Sequence, residues 1–266
     1  MSRRLTSLRV VRTEWLNPRM IRVVAGGADL AGFPDTGHTD RYVKIVFPRP
    51  GVAYPVPLDL DLVRRTFPRS HWPLTRTYTV RAIDRAAGTM TIDFVYHGDS
   101  GLAGRWAAAA GTGDPLLLLG PGGAYAPRAD ADWHLLVGDE AAIPAIAAAL
   151  ERIPARVPAT VIIQVDGPQE HQDLRSPGEA RITWLHRPDQ LLDAVAGLEF
   201  PPGAVHAFVH GEAGAVKQVR RHLLAERGVA RDALSISGYW RLGRDEDGFR
   251  QDKAAERAAP EAATAG

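Results

Sequence analysis

The chain has 266 residues, 45 % of them apolar, enough to build one large core or two ordinary ones, which argues against extensive disorder. Lysine and arginine total 32 against 31 acidic residues, a net charge of +1, so no global field selects nucleic acid or an anionic membrane. Cysteine is absent, which excludes disulfides, thiolate iron–sulfur ligation, dithiol redox centres and cysteine nucleophiles; any electrons this chain moves must travel on a bound organic cofactor.

The start, Met1-Ser2-Arg3-Arg4, is basic but leads into Arg9, Arg12 and Glu14 without an apolar stretch, so it does not read as a signal peptide. No run of about eighteen apolar residues occurs, so no membrane insertion is expected and the expected location is the cytoplasm. Short β-type runs follow at residues 8–11, 20–24, 42–47, 76–83, 89–96 and 116–119, broken by Gly and Pro, and they predict an antiparallel barrel or sandwich. Pro55, Pro57 and Pro68 among charged residues predict a long surface loop over 51–69. Residues 102–110 are the one clear helix of this half.

After Pro127 the pattern changes to alternating strands and helices: strand 133–137, helix 141–152, strand 160–165, helix 191–196, strand 205–209, helix 214–227 and strand 234–237. Such alternation predicts a parallel sheet with crossover helices. A segment rich in Gly, Pro and charge at 121–131 marks the boundary, giving domains 1–127 and 128–250 and a C-terminal tail, 251–266.

Two neighbouring stretches of the first half read together as a cradle for a phosphate-bearing flavin. In Arg76-Thr77-Tyr78-Thr79-Val80-Arg81, strand alternation puts Arg76, Tyr78 and Val80 on one face and Thr79 and Arg81 on the other. In His97-Gly98-Asp99-Ser100-Gly101-Leu102-Ala103-Gly104-Arg105-Trp106, small residues open a helix whose first amides attract phosphate oxygens. Ser100 is a candidate helix cap, His97 either bonds the flavin or satisfies a strand end, and Trp106 is either cofactor wall or core. Gly98-Asp99-Ser100-Gly101 also occurs around the nucleophile of trypsin-like proteases, but nothing else here supports a triad.

In the second half, Gly138-Asp139-Glu140-Ala141-Ala142 follows a buried strand and precedes a helix, and Gly211-Glu212-Ala213-Gly214 repeats that arrangement, where a doubly wound sheet places its ligands. No Gly-x-Gly-x-x-Gly is present, and an acid beside a pyrophosphate is electrostatically awkward, so Asp139 also reads as a cap on the helix amides. Lys217, Arg220 and Arg221 read either as a 2′-phosphate site or as a solvated face. His206 and His210 lie on one strand, roughly 13 Å apart at about 3.3 Å per residue, too far for a metal pair.

These stretches, with Gly120-Pro121-Gly122-Gly123 and Gly238-Tyr239-Trp240-Arg241-Leu242-Gly243-Arg244, resemble the siderophore-interacting proteins over about residues 5–250. The resemblance implies the two-domain plan of ferredoxin reductases: an antiparallel FAD-binding barrel followed by an α/β parallel-sheet NAD(P)H-binding domain. It implies FAD, with NADPH or NADH as electron donor, a ferredoxin as an alternative donor, and a ferric siderophore as substrate. It places Tyr78 against the isoalloxazine, Thr79 at its reactive edge and Arg76 on a phosphate, with Val80, Arg81, Gly98, Ser100, Gly101, Leu102 and Ala103 around them. It assigns Gly138, Asp139, Glu140, Ala142, Gly211 and Glu212 to the nicotinamide side, with Tyr239 and Trp240 after the last strand, Trp240 either covering the ring or packed in an interdomain seam. Lys44, Arg241 and Arg244 resemble basic positions of the siderophore pocket; Gly122 stands where family members often carry a cation. No protein side chain is expected to perform the chemistry. The implied activity is NAD(P)H-dependent ferric-siderophore reduction; the competing readings are a general flavin or ferredoxin-linked reductase and a non-catalytic siderophore or flavin carrier.

Overall fold

The computed structural model describes residues 5–98, 101–187, 189–244, 248–249 and 252. They divide into two compact units: one formed by Met1–Pro127 with Pro144–Ile153 and Gln169–Pro177, the other by Arg128–Ile143, Pro154–Pro168 and the chain from Gly178 onward. The expected tail, 251–266, lies outside the described residues except for Asp252.

The first unit is a closed antiparallel barrel of six strands, β1 (Thr6–Asn17), β2 (Met20–Gly26), β3 (Tyr42–Phe47), β4 (Leu74–Asp84), β5 (Thr89–Val95) and β6 (Pro115–Gly122), in the order β1-β2-β5-β4-β3-β6. Closure comes from β1 pairing with β6, Thr6 opposite Leu118 and Arg9 opposite Pro115, which leaves no open sheet edge. Alternation drives it: Leu8 and Val10 are buried while Ser7 and Arg9 are exposed. Inward residues such as Leu8, Ile45, Ile92, Phe94 and Leu118 form the core, each buried side chain stabilising by roughly 1.5–3 kcal/mol. Helix α2 (Leu102–Ala109) packs Ala103 and Ala107 against that core. Gly104 permits this approach, since a Cβ there would sit 2.7 Å from the Val95 carbonyl oxygen.

The loop expected over 51–69 contains a helix, α1 (Leu60–Thr66). Asp59 caps it, accepting from the amides of Asp61 and Leu62 at 2.9 Å each, a local bond that outweighs the flanking prolines.

In the second unit, β7 (Trp133–Asp139), β8 (Ala159–Gln164), β9 (Ala180–Leu185), β10 (Val205–Glu212) and β11 (Leu234–Trp240) form a sheet in the order β11-β10-β7-β8-β9. All neighbouring pairs are parallel. The chain builds outward from β7 to β8 and β9, then returns to lay β10 and β11 on the other side, so the topological switch point lies between β7 and β10. The connecting helices are α3 (Ile143–Leu150), α4 (Leu191–Ala196) and α5 (Ala213–Arg221).

Three features of this unit depart from the sequence expectation by more than a residue or two. β9 was not anticipated, because as an edge strand it has no fully buried residue and lacks an apolar run. The helix expected over 214–227 ends at Arg221 and continues as a π-helical turn, His222–Glu226. β11 runs on through Gly238, Tyr239 and Trp240, so the aromatic pair belongs to the strand rather than following it; its pairing with β10, Gly238 beside Gly211 and Trp240 beside Glu212, carries it that far.

Candidate functional site

Strand β4 sets out the predicted flavin-side residues. Val80 is buried in the barrel core, and the Tyr78 ring leans on it with its centroid 4.5 Å from that of Phe94. Thr79, beside Tyr42 in register, is only 7 % exposed. Arg76 is half-buried and donates to the Thr75 carbonyl at 2.8 Å. Arg81 forms a fork–fork pair with Glu151, Nη1 donating to Oε2 at 3.1 Å and Nη2 to Oε1, so its guanidinium is matched by a carboxylate of the chain itself.

Beyond β5, His97 is exposed, with Nδ1 3.4 Å from Arg19 Nη1, and Gly98 turns the chain at φ +70°, a left-handed conformation that favours glycine. Ser100 lies outside the described residues. Gly101 is the N-cap of α2 and brings no capping side chain; among the described residues, none accepts from the amides that open this helix at Leu102 and Ala103. An uncapped helix start behind two glycines is a ready anion site. With the half-buried guanidinium of Arg76 on β4 in the same unit, these residues fit the diphosphate of FAD. Trp106 packs on Phe94 and Phe47, ring centroids 5.6 and 6.0 Å away, and so walls the barrel core.

Sequence reasoning missed Tyr42. A Cβ built on Gly122 would fall 2.3 Å from the Tyr42 ring, so the aromatic occupies the space a side chain at 122 would need. The glycine at 122 was the only signal. Lys44, half-buried on β3, sits two positions along the same strand face.

The nicotinamide-side residues meet at the carboxyl ends of β7, β10 and β11. Asp139, the last residue of β7, is 5 % exposed and accepts three N–H groups. Its Oδ1 takes the Ala141 amide at 3.0 Å; its Oδ2 takes the Glu212 amide at 2.7 Å and the Trp240 indole at 2.8 Å. Burial pushes the Asp139 carboxyl up to about 6, opposed by the Trp240, Glu212 and Ala141 donors. Gly211 makes the arrangement possible: its φ is +148°, and a Cβ there would lie 2.5 Å from Asp139 Oδ2. Gly138 and Ala142 are buried beside Asp139, while Glu140 is half-exposed. Glu212 caps α5 by accepting the Ala215 amide at 2.9 Å, and also receives the Leu242 amide at 3.3 Å. Tyr239 points its ring at His210, centroids 4.8 Å apart.

The starts of both crossover segments at the switch point thus carry carboxylates of the chain's own, in contrast to α2. Arg241 and Arg244 both engage Asp252, at 3.3 and 3.2 Å. Lys217, Arg220 and Arg221 occupy the exposed face of α5. Among the described residues, no helix is long and apolar enough to cross a membrane.

Comparison with known proteins accounts for both halves. Residues 9–125 match the siderophore-interacting FAD-binding domain and residues 131–243 match the siderophore-interacting protein domain. The ferric vibriobactin reductase ViuB of Vibrio cholerae is 34 % identical over 91 % of this chain and 92 % of its own length. The NADPH-dependent ferric-chelate reductase of Escherichia coli is 31 % identical over 89 % of this chain and 93 % of its own. A siderophore utilization protein from T. fusca superposes with a TM-score of 0.78 at 38 % identity, covering 91 % of this chain and 94 % of that one. With the barrel, the parallel sheet and both motif sets in place, the chain belongs to the siderophore-interacting protein family.

Proposed function

We propose that the protein is an NAD(P)H-dependent ferric-siderophore reductase. It is an FAD-dependent oxidoreductase, and FAD is its cofactor with NAD(P)H as electron donor. The chemistry FAD supplies when bound is acceptance of a hydride from reduced nicotinamide and delivery of single electrons to chelated Fe(III); the chelator binds Fe(II) weakly, so the metal is then released. The chain's own residues bind, orient and tune. The amides at Leu102 and Ala103 and the Arg76 guanidinium hold the diphosphate, while Tyr78, fixed by Phe94, and buried Thr79 hold the ring system. Val80, Gly98, Gly101 and Ala103 keep the floor of that cradle close to the backbone. Arg81, bound to Glu151, acts on the cradle by bracing β4. On the donor side Gly138, Asp139, Ala142, Gly211, Glu212, Tyr239 and Trp240 form the edge against which nicotinamide lies. Arg241 and Arg244, which share Asp252, leave a net positive charge beyond β11 to attract an anionic chelate, and Lys44 adds a cation on β3 of the barrel unit. No proton transfer by a side chain is required.

One observation carries this reading: α2, which follows β5 in the flavin motif, has Gly101 as its N-cap and no capping side chain among the described residues. The test is an anaerobic flavin spectrum of the purified protein before and after NADPH or NADH, and again after a ferric siderophore with a ferrous trap present. Bleaching by donor, recovery on adding the chelate and trapped Fe(II) are expected. A colourless protein that binds no added FAD ends the reading. Bleaching only by reduced ferredoxin transfers the donor role to ferredoxin, and recovery only with quinones or free flavins makes it a general reductase.

A further inference from the structure

At the switch point of the parallel sheet, one carboxylate ties three strand ends together. Asp139 ends β7, the amide it accepts belongs to Glu212 at the end of β10, and the indole it accepts belongs to Trp240 at the end of β11. Both bonds fall on the same oxygen, and the other oxygen is taken by the Ala141 amide. Three donors from the chain itself therefore take three of the carboxylate's roughly four acceptor sites, and its charge would repel the phosphates of a dinucleotide. Gly211 is shaped to this bond set, since any side chain there would displace Oδ2.

The geometry points to Asp139 as a positioning residue that makes Trp240 a fixed wall of the electron-donor site rather than a movable cover. It rests on the donor-site reading above. For the ring to swing aside, a 2.8 Å charge-assisted bond must break and a buried carboxylate must lose one of its donors. A hydrogen bond to a charged group is worth about 10- to 100-fold in population, so the displaced ring is a minor state. Nicotinamide then binds against a Trp240 whose plane is set by a residue 101 positions away in sequence.

The experiment uses the FAD-loaded full chain. The Trp240 indole N–H is assigned in proton–nitrogen correlation spectra by its disappearance in Trp240→Phe. The proposal expects a downfield resonance that keeps its position when NADP+ saturates the protein and moves upfield in Asp139→Asn. Calorimetric titration with NADP+ and NAD+ is expected to show about tenfold weaker binding in Asp139→Asn and in Trp240→Phe, and no further loss in the double variant, because both act through one bond. Trp240→Phe retains a ring and leaves Asp139 its two amide donors, so it remains informative should Asp139→Asn fail to fold. A resonance that leaves its hydrogen-bonded position on NADP+ binding, or additive losses in the double variant, overturns the fixed wall while leaving the donor-site reading standing. Unchanged dinucleotide binding in Trp240→Phe removes Trp240 from the donor site and overturns both.

Discussion

Arg76 is the cation that the proposed FAD site draws from β4; the other arginine of that strand motif, Arg81, pairs with Glu151. On the proposed function, removing Arg76 takes away a charge-assisted phosphate contact from a side chain that is half-buried and outside the barrel core cluster. Arg76→Ala is therefore expected to lower FAD affinity about tenfold or more, with a melting temperature of the apo form close to the parent's; unchanged flavin occupancy after gel filtration would count against the cradle. A second residue-scale effect concerns pH. His206 lies beside His134 with its ring accepting the Arg128 amide at 3.3 Å, and burial, with the His134 and Arg128 charges, pulls it down to about 4. Between its ordinary value of 6.5 and about 4 the unfolded chain takes up a proton that the folded one refuses, so stability falls as pH drops through that window. Asp139, raised to about 6, works in the opposite sense, the folded form taking up its proton first. His206→Asn retains an acceptor for the Arg128 amide without the titration, and is expected to remove part of the loss, at most about 2 kcal/mol because solvent and Asp130 screen the site, between about pH 7 and about pH 5 in denaturant melts. An unaltered pH slope would show that His206 does not carry it.

At the scale of elements, the helix start of the flavin motif differs from the two at the switch point of the sheet. α2 begins at Gly101 with no capping side chain, whereas α5 is capped by Glu212 and the turn before α3 by Asp139. Among the described residues, an external anion meets no capping side chain at the first and a carboxylate at the others. The sharpest constraint on the second arrangement is Gly211, at φ +148° and pressed on Asp139. Gly211→Ala is expected to destabilise the sheet unit by roughly 1–3 kcal/mol, read as a lowered denaturation midpoint, and to move the Trp240 indole resonance. A variant as stable as the parent would mean that β10 adjusts freely. Most elements were legible from the sequence. β3 and α4 follow from apolar period alone, whereas α1 rested on a single cap at Asp59 and β9 on pairing with β8, neither of which leaves a periodic trace.

At the scale of the whole molecule, the barrel unit takes in segments that follow the first sheet strand. Pro144–Ile153 contributes Glu151 to Arg81 and Arg152 to the Gly37 carbonyl, and Gln169–Pro177 contributes Glu170, whose carbonyl accepts from Asn17 at 3.1 Å. A fragment ending at residue 127 lacks all of these partners. Such a fragment is expected to melt below the barrel of the full chain and to retain FAD less well, even though it contains both flavin motifs; equal melting and retention would show that the later segments are dispensable. The sequence by itself determined that no thiol or disulfide takes part, that β-rich chemistry precedes α/β chemistry, and where both flavin motifs lie, because composition, alternation and short-range spacing are local properties. Only the tertiary structure decided that Arg81 of β4 pairs with Glu151, that Tyr42 fills the space over Gly122, and that Asp139 holds Trp240. Each of these joins residues far apart in the chain, and only sheet pairing and barrel closure bring such residues within bonding distance.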